Sequence, residues 1–109
     1  MIKAEWVRNL CLSLDDVSEH PHFVKKAYKI KNKIFATIDF DRLSISLKLS
    51  EIDQSVFCDF NPEKIYPANG AWGKQGWTIF EFSELKPEMI EDALRLSYNN
   101  TLSKKVKLS

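Results

Sequence analysis

Glycine is nearly absent from this chain. It occurs three times in 109 residues, and all three fall within Gly70–Trp77, GAWGKQGW. Two of the three tryptophans lie in the same stretch. Elsewhere the chain lacks the residue that makes left-handed turns and close backbone approaches easy, so its special backbone is expected in this one place. Cysteine is scarce too. Cys11 and Cys58 stand among apolar neighbours at helix-like spacing, which predicts two buried free thiols rather than a bridge, and no further cysteine offers metal-ligand spacing. No apolar run approaches the roughly 20 residues of a membrane span. Trp6, Arg8 and Asn9 interrupt the N-terminal stretch where a signal peptide needs an apolar run, so a soluble, cytoplasmic protein without a membrane partner is expected. An excess of one charge is also missing. Sixteen Lys and Arg face fifteen Asp and Glu, and affinity for a polyanion would have to come from the placement of the lysines and arginines.

What is present suffices for a core. Hydrophobic residues make up 44% of a chain of one-domain length, which predicts a single domain over 1–109. Trp6, Val7, Leu10, Cys11 and Leu14 line one face of a helix over about residues 2–14. DDVSEHPH breaks that pattern, because Pro21 is poor in a helix interior and pushes His20 toward extended geometry. The period then changes to two, predicting strands over about 23–30, 33–40 and 43–49, joined by the short polar KNK and DFDR as an antiparallel meander. Alternation sends Ile34, Ala36 and Ile38 one way and Phe35, Thr37 and Asp39 the other. Leu43, Ile45, Leu47 and Leu49 point inward, and Ser44, Ser46 and Lys48 outward.

Ser50 has the look of an N-cap with Asp53 as its capping-box partner, and Ile52, Val56 and Phe57 supply the buried stripe of a helix ending before Pro62. KIYPA is a brief strand, placed at an edge by Pro67, and GWTIFEF a longer one. Pro87 suits the first position of a last helix whose inner stripe is Ile90, Ala93, Leu94 and Ser97, with a hydrophobic staple between Leu85 and Ile90. The tail from Ser103 is expected to fray. The fold class is therefore α+β: a two-layer α-β3-α-β2-α domain, with a five-stranded antiparallel sheet and its helices on one face.

The stretches SLDDVSEHPHF (13–23), KIFATID (33–39), LKLS (47–50) and YPANGAWGKQGWTIFEF (66–82), followed by LSYN (96–99), resemble the MmcQ/YjbR family of small bacterial proteins over nearly the whole chain. The resemblance implies a two-layer fold like that of type III secretion chaperones, also described as frataxin-like. It also implies DNA binding through a double-wing arrangement.

Several candidate sites follow from the residues. Lys25, Lys26, Lys29, Lys31 and Lys33, with Asn32 at the turn and Arg42 at the next one, make a basic wing that could lie along phosphates. The same lysines also suit a solvated edge protected from pairing. Lys74 and Gln75 would tip a second wing in the glycine stretch, where Trp72 either plugs the core or stacks on bases. That stretch is no Walker A loop, since Gln75 stands in place of Ser/Thr and a strand follows. Phe35, Trp77 and Ile79 are expected to share the uncovered sheet face with Lys29, Ser44, Ser46 and Lys48. Such a face suits single-stranded nucleic acid, a dimer or a bound peptide.

His20 and His22 supply only two metal ligands, and capping or hydrogen bonding at a connection is the default reading. No serine or cysteine has a convincing base nearby in sequence, so no enzyme activity is expected, and neither is a metal or a small-molecule cofactor. The first reading is a DNA-binding protein of low sequence specificity, contacting double-stranded DNA. The alternative is an interaction or dimerisation module using the open sheet face or an edge strand.

Overall fold

The structure, a computed structural model, describes residues 1–106. Helix α1 (Ala4–Leu12) buries Val7 and Cys11, an i, i+4 pair on its inner face. The chain then reverses at Asp16, which sits at φ 64°, and enters a strand, β1 (Val17–His22), where a connection was expected. SEHPH carries little strand propensity. Its extended form follows from Pro21, which excludes helix, and from antiparallel pairing with the next strand from Val17↔Ile30 to His22↔Lys25. The missing N–H of Pro21 is tolerated because β1 lies at the edge of the sheet.

Strand β2 (Lys25–Ile30) starts after the exposed turn residues Phe23 and Val24. Lys31 and Asn32, at φ 51° and 67°, form a two-residue turn of the kind that matches strand twist, and lead into β3 (Lys33–Asp39). After a turn in which Asp39 Oδ1 accepts from the backbone N–H groups of Asp41 and Arg42, β4 (Ser44–Lys48) follows. Helix α2 (Glu51–Phe60) is capped as expected, with Ser50 Oγ accepting from Asp53 N at 3.1 Å. Strand β5 (Ile65–Pro67), the short helix α3 (Ala71–Lys74), strand β6 (Trp77–Glu81), a single 3₁₀ turn (Phe82–Glu84) and helix α4 (Pro87–Val106) complete the order. The tail that was expected to fray continues α4 as far as Val106, and residues 107–109 lie outside the described residues.

The fold is α+β, but the sheet has six strands rather than five, in the order β1-β2-β3-β4-β6-β5, every pair antiparallel. The meander of β2, β3 and β4 is as expected, and β5 with Pro67 forms the second edge. Helix α4 packs on β2, β3 and β4, and α1 on β1 and β3. Between helices and sheet lies a core including Tyr28, Phe35, Ile38, Ile45, Leu47, Phe80 and Leu94, all fully buried.

Two expectations about facing residues are corrected. Tyr28 pairs with Ala36, but Lys29 pairs with Ile34, so Phe35 is an extra residue bulged into β3. A bulge reverses alternation beyond it. Phe35 therefore points into the core, edge-on to Tyr98 at 5.5 Å between ring centroids, and Ile34 takes its place on the open face. Ser97 of α4 fills the gap the bulge leaves: its hydroxyl donates to the Phe35 carbonyl at 2.7 Å and accepts from Lys48 N at 3.0 Å.

The second correction concerns α2. Its packed face is Gln54, Phe57 and Cys58, with the Phe57 ring edge-on to Phe80 at 5.5 Å, while Ile52 and Val56 are exposed. Gln54 holds this face to the sheet end, the two N–H groups of its amide shared among three acceptors. Cys11 is a buried free thiol, as expected, but Cys58 is only half-buried.

Candidate nucleic-acid interface

The glycine stretch explains itself through contact distances. Leu49 N donates to Gly76 O at 2.9 Å, and this approach is so tight that a Cβ on Gly76 would stand 2.0 Å from Leu49 O. Gly76 also sits at φ 106°. At Gly73 a Cβ would meet Ala68 O at 2.1 Å. Gln54 Nε2 locks the segment from the α2 side, donating to Gly73 O (3.0 Å), Trp77 O (3.3 Å) and Thr78 Oγ1 (3.1 Å). So pinned, the four-residue α3 presents its tryptophan outward. Trp72 is 63% exposed, which overturns its reading as a plug in the core.

Register fixes the rest of the face. Ile38 and Ile45 are core residues, so the intervening pairs look outward: Ala27 with Thr37, Ser46 with Ile79, and Lys48 with Trp77. Between the β2–β3 turn and the glycine segment this face holds a cleft of about 410 Å³. Lys29, Lys33, Lys48, Asn32 and Gln75 reach it around Trp72 and Trp77, and among the described residues no acidic side chain lines it. Asn100 and Thr101 of α4 close its end. A second depression of about 360 Å³ shares Ile34, Trp72 and Trp77 with the first, and continues the groove to Lys25, His22 and Phe23.

The nine basic and amide residues singled out from the sequence thus divide. Lys29, Asn32, Lys33 and Gln75 meet in one cleft, and Lys25 lines its continuation. Lys31 is exposed at the turn beside them. Lys26 pairs with Ile38 on the opposite, core-side face and lies 3.9 Å from Glu19. That carboxylate also receives Arg8 Nε at 2.7 Å and the Tyr28 hydroxyl at 2.7 Å. The Arg8 hydrogen bond above all, with that of Tyr28, holds Glu19 below the usual carboxylate range despite burial. Arg42 follows the far end of the seven-residue β3, about 20 Å from Lys33 at the usual strand rise. Lys74 lines a separate depression beside Glu51.

Phe23 and the α4 residues Asn100 and Thr101 were missed. Phe23 was read as the start of a strand, yet its φ of 60° makes it a turn residue that is 95% exposed. Nothing in the local pattern of α4 signals that its last turns reach the cleft. On β1, Ser18 Oγ lies 2.7 Å from His20 Nε2, so that His20 is engaged in a side-chain hydrogen bond at the sheet edge. Among the described residues, no group of three or more His, Cys, Asp or Glu is placed to hold a metal, and no helix is long and apolar enough to cross a membrane.

An open antiparallel sheet with helices α1 and α4 on one face and a basic, aromatic groove on the other defines the class: a small α+β protein built around a sheet. The YjbR family model matches residues 12–100, and the chain belongs to that family. The crystal structure of the Deinococcus radiodurans protein DR2400, whose family domain is DUF419, is similar in fold, with a TM-score of 0.77 and 24% identity over 90% of this chain and 77% of that one. No curated protein matches the chain.

Proposed function

We propose that the protein binds DNA with little sequence specificity, through the cleft between the β2–β3 turn and the glycine segment. One observation carries this reading: Lys29 and Lys33 converge with Lys48, Asn32 and Gln75 on a single cleft that, among the described residues, no carboxylate lines. Lysines scattered for solubility in a chain of net charge +1 would carry acids between them. The two projecting segments play the part of wings, and the phosphate contacts narrow to Lys29 and Lys33, with Lys25, Lys31 and Lys48 adding positive potential. Lys26, Arg42 and Lys74 stand apart from this group. Three amides, Asn32, Gln75 and Asn100, are the available base-edge readers, too few for strong sequence discrimination.

The test is fluorescence anisotropy with labelled DNA across a salt series. Binding that weakens with salt, and is lost in Lys29→Ala/Lys33→Ala, supports the reading. Absence of binding at low salt overturns it.

A second reading draws on α2. Ile52, Val56 and Phe60, at i, i+4 and i+8, are 75%, 61% and 68% exposed, an apolar stripe suited to a protein partner. A changed oligomeric state in Ile52→Glu/Phe60→Glu would support it, and a stable monomer both with and without the substitutions would count against self-association.

A further inference from the structure

The groove on the open face differs from a duplex-binding surface in where its aromatic rings lie. Trp77 forms part of the floor of the cleft, half-buried, and Trp72 stands 63% exposed at its side. The groove then runs past Ile34 and Ile79 to Phe23, which is 95% exposed on the β1–β2 turn. Within a duplex, base faces are covered by their neighbours and only edges and phosphates reach a protein surface. A half-buried ring such as Trp77, with the exposed rings of Trp72 and Phe23 along the same groove, offers a row of stacking faces that a strand can use when it is single and its bases are turned out. The lysines complement this placement, with Lys29, Lys33 and Lys48 at one end of the groove and Lys25 at the other.

Resting on the reading of the cleft as a nucleic-acid site, we infer that its ligand is single-stranded nucleic acid, with bases stacking on Trp72 and Trp77 and the backbone tracking the lysines. The competing geometry inserts the β2–β3 ribbon into a major groove. It would place Lys31 at the contact and leave Trp72 idle. The two are therefore separable by substitution.

Labelled oligothymidylate, oligouridylate and a mixed-sequence duplex of the same length are titrated by anisotropy at fixed low salt. Either single strand is expected to bind at least tenfold more tightly than the duplex. Trp72→Ala weakens single-strand binding roughly ten- to hundredfold, the usual worth of one stacked base, while Trp72→Phe retains most of it. Two phosphate contacts give a log–log salt slope of about −1.4, which Lys29→Ala or Lys33→Ala makes shallower by about 0.7 each. Lys86→Ala, at the exposed position just before α4, leaves affinity unchanged. Because Trp72 is exposed, its variants should keep the wild-type melting temperature, and that is measured alongside.

A duplex bound as tightly as either single strand, or Trp72→Ala binding like wild type, overturns the inference and leaves the broader reading standing. Failure of all three probes to bind at low salt removes both.

Discussion

Replacing Ser97 with alanine removes one hydroxyl and strands two backbone groups. The serine is fully buried beyond the last β3–β4 pair, Ala36↔Leu47, beside the Phe35 bulge, and its Oγ takes the Lys48 N–H and gives its own proton to the Phe35 carbonyl. Each buried group left unpaired costs about 1–3 kcal/mol. Partial closure of the gap between the strands would recover some of this, so a net loss of about 2–4 kcal/mol is expected. For a domain of this size that lowers Tm by about 8–16 °C. Denaturant unfolding is the better assay, because the midpoint should fall while m stays constant. Ser103→Ala, on the exposed side of the same helix, where the hydroxyl donates to Asn100 O, is the control and should change stability by about 0.5 kcal/mol at most. A Ser97→Ala protein within 1 kcal/mol of wild type would refute the account of the hydroxyl as the bridge across the bulge.

Gly76→Ala combines a positive φ with a Cβ 2.0 Å from Leu49 O, so its loss should exceed the backbone strain of about 1–3 kcal/mol that Gly70→Ala incurs, since a Cβ there meets nothing within 4 Å. Urea midpoints would check the order. Gln54→Ala frees the three contacts on the glycine segment, costing about 1–2 kcal/mol, and should raise amide exchange over residues 71–76 as measured by mass spectrometry. Glu19, held below its ordinary value chiefly by the Arg8 hydrogen bond, stabilises the fold in full above its unfolded pKa of about 4.3, and that contribution disappears as pH falls through the lower folded value. Glu19→Gln should therefore melt lower than wild type at pH 7, with the gap shrinking toward pH 3. Cys11, buried and with its thiol pushed up by that burial and by Glu19, should resist a thiol reagent until the protein unfolds.

Local chemistry made much of this fold legible in the sequence. The Ser50 cap, the strand order of the meander and the edge position of Pro67 each depend on residues close together in the chain, and the structure shows all three. β1 was not legible, because SEHPH has no alternation of its own and becomes a strand only against Lys25–Ile30. The face assignment of Phe35 failed for a related reason. A bulge is set by what packs on either side, here Tyr98 and Ser97 from more than 60 residues away, and period-two reading has no mark for it. The exposure of Trp72 was settled by Gln54 and by two close approaches, none visible in an eight-residue motif. Of the candidate site, Lys29, Asn32, Lys33 and Gln75 were found as basic or amide tips. Arg42 and Lys26 were grouped with them because sequence proximity hides which end or side of a strand a residue occupies.

Both outer strands of the sheet contain a proline, Pro21 in β1 and Pro67 in β5. Each interrupts the row of amide donors that an incoming strand would need, and β5 is only three residues long. The sheet thus has a built-in terminus on either flank, which works against the end-to-end growth that turns exposed strands into fibrils. A concentrated sample should accordingly stay free of thioflavin-binding aggregate under conditions where its Pro21→Val variant, with that row restored, begins to seed it.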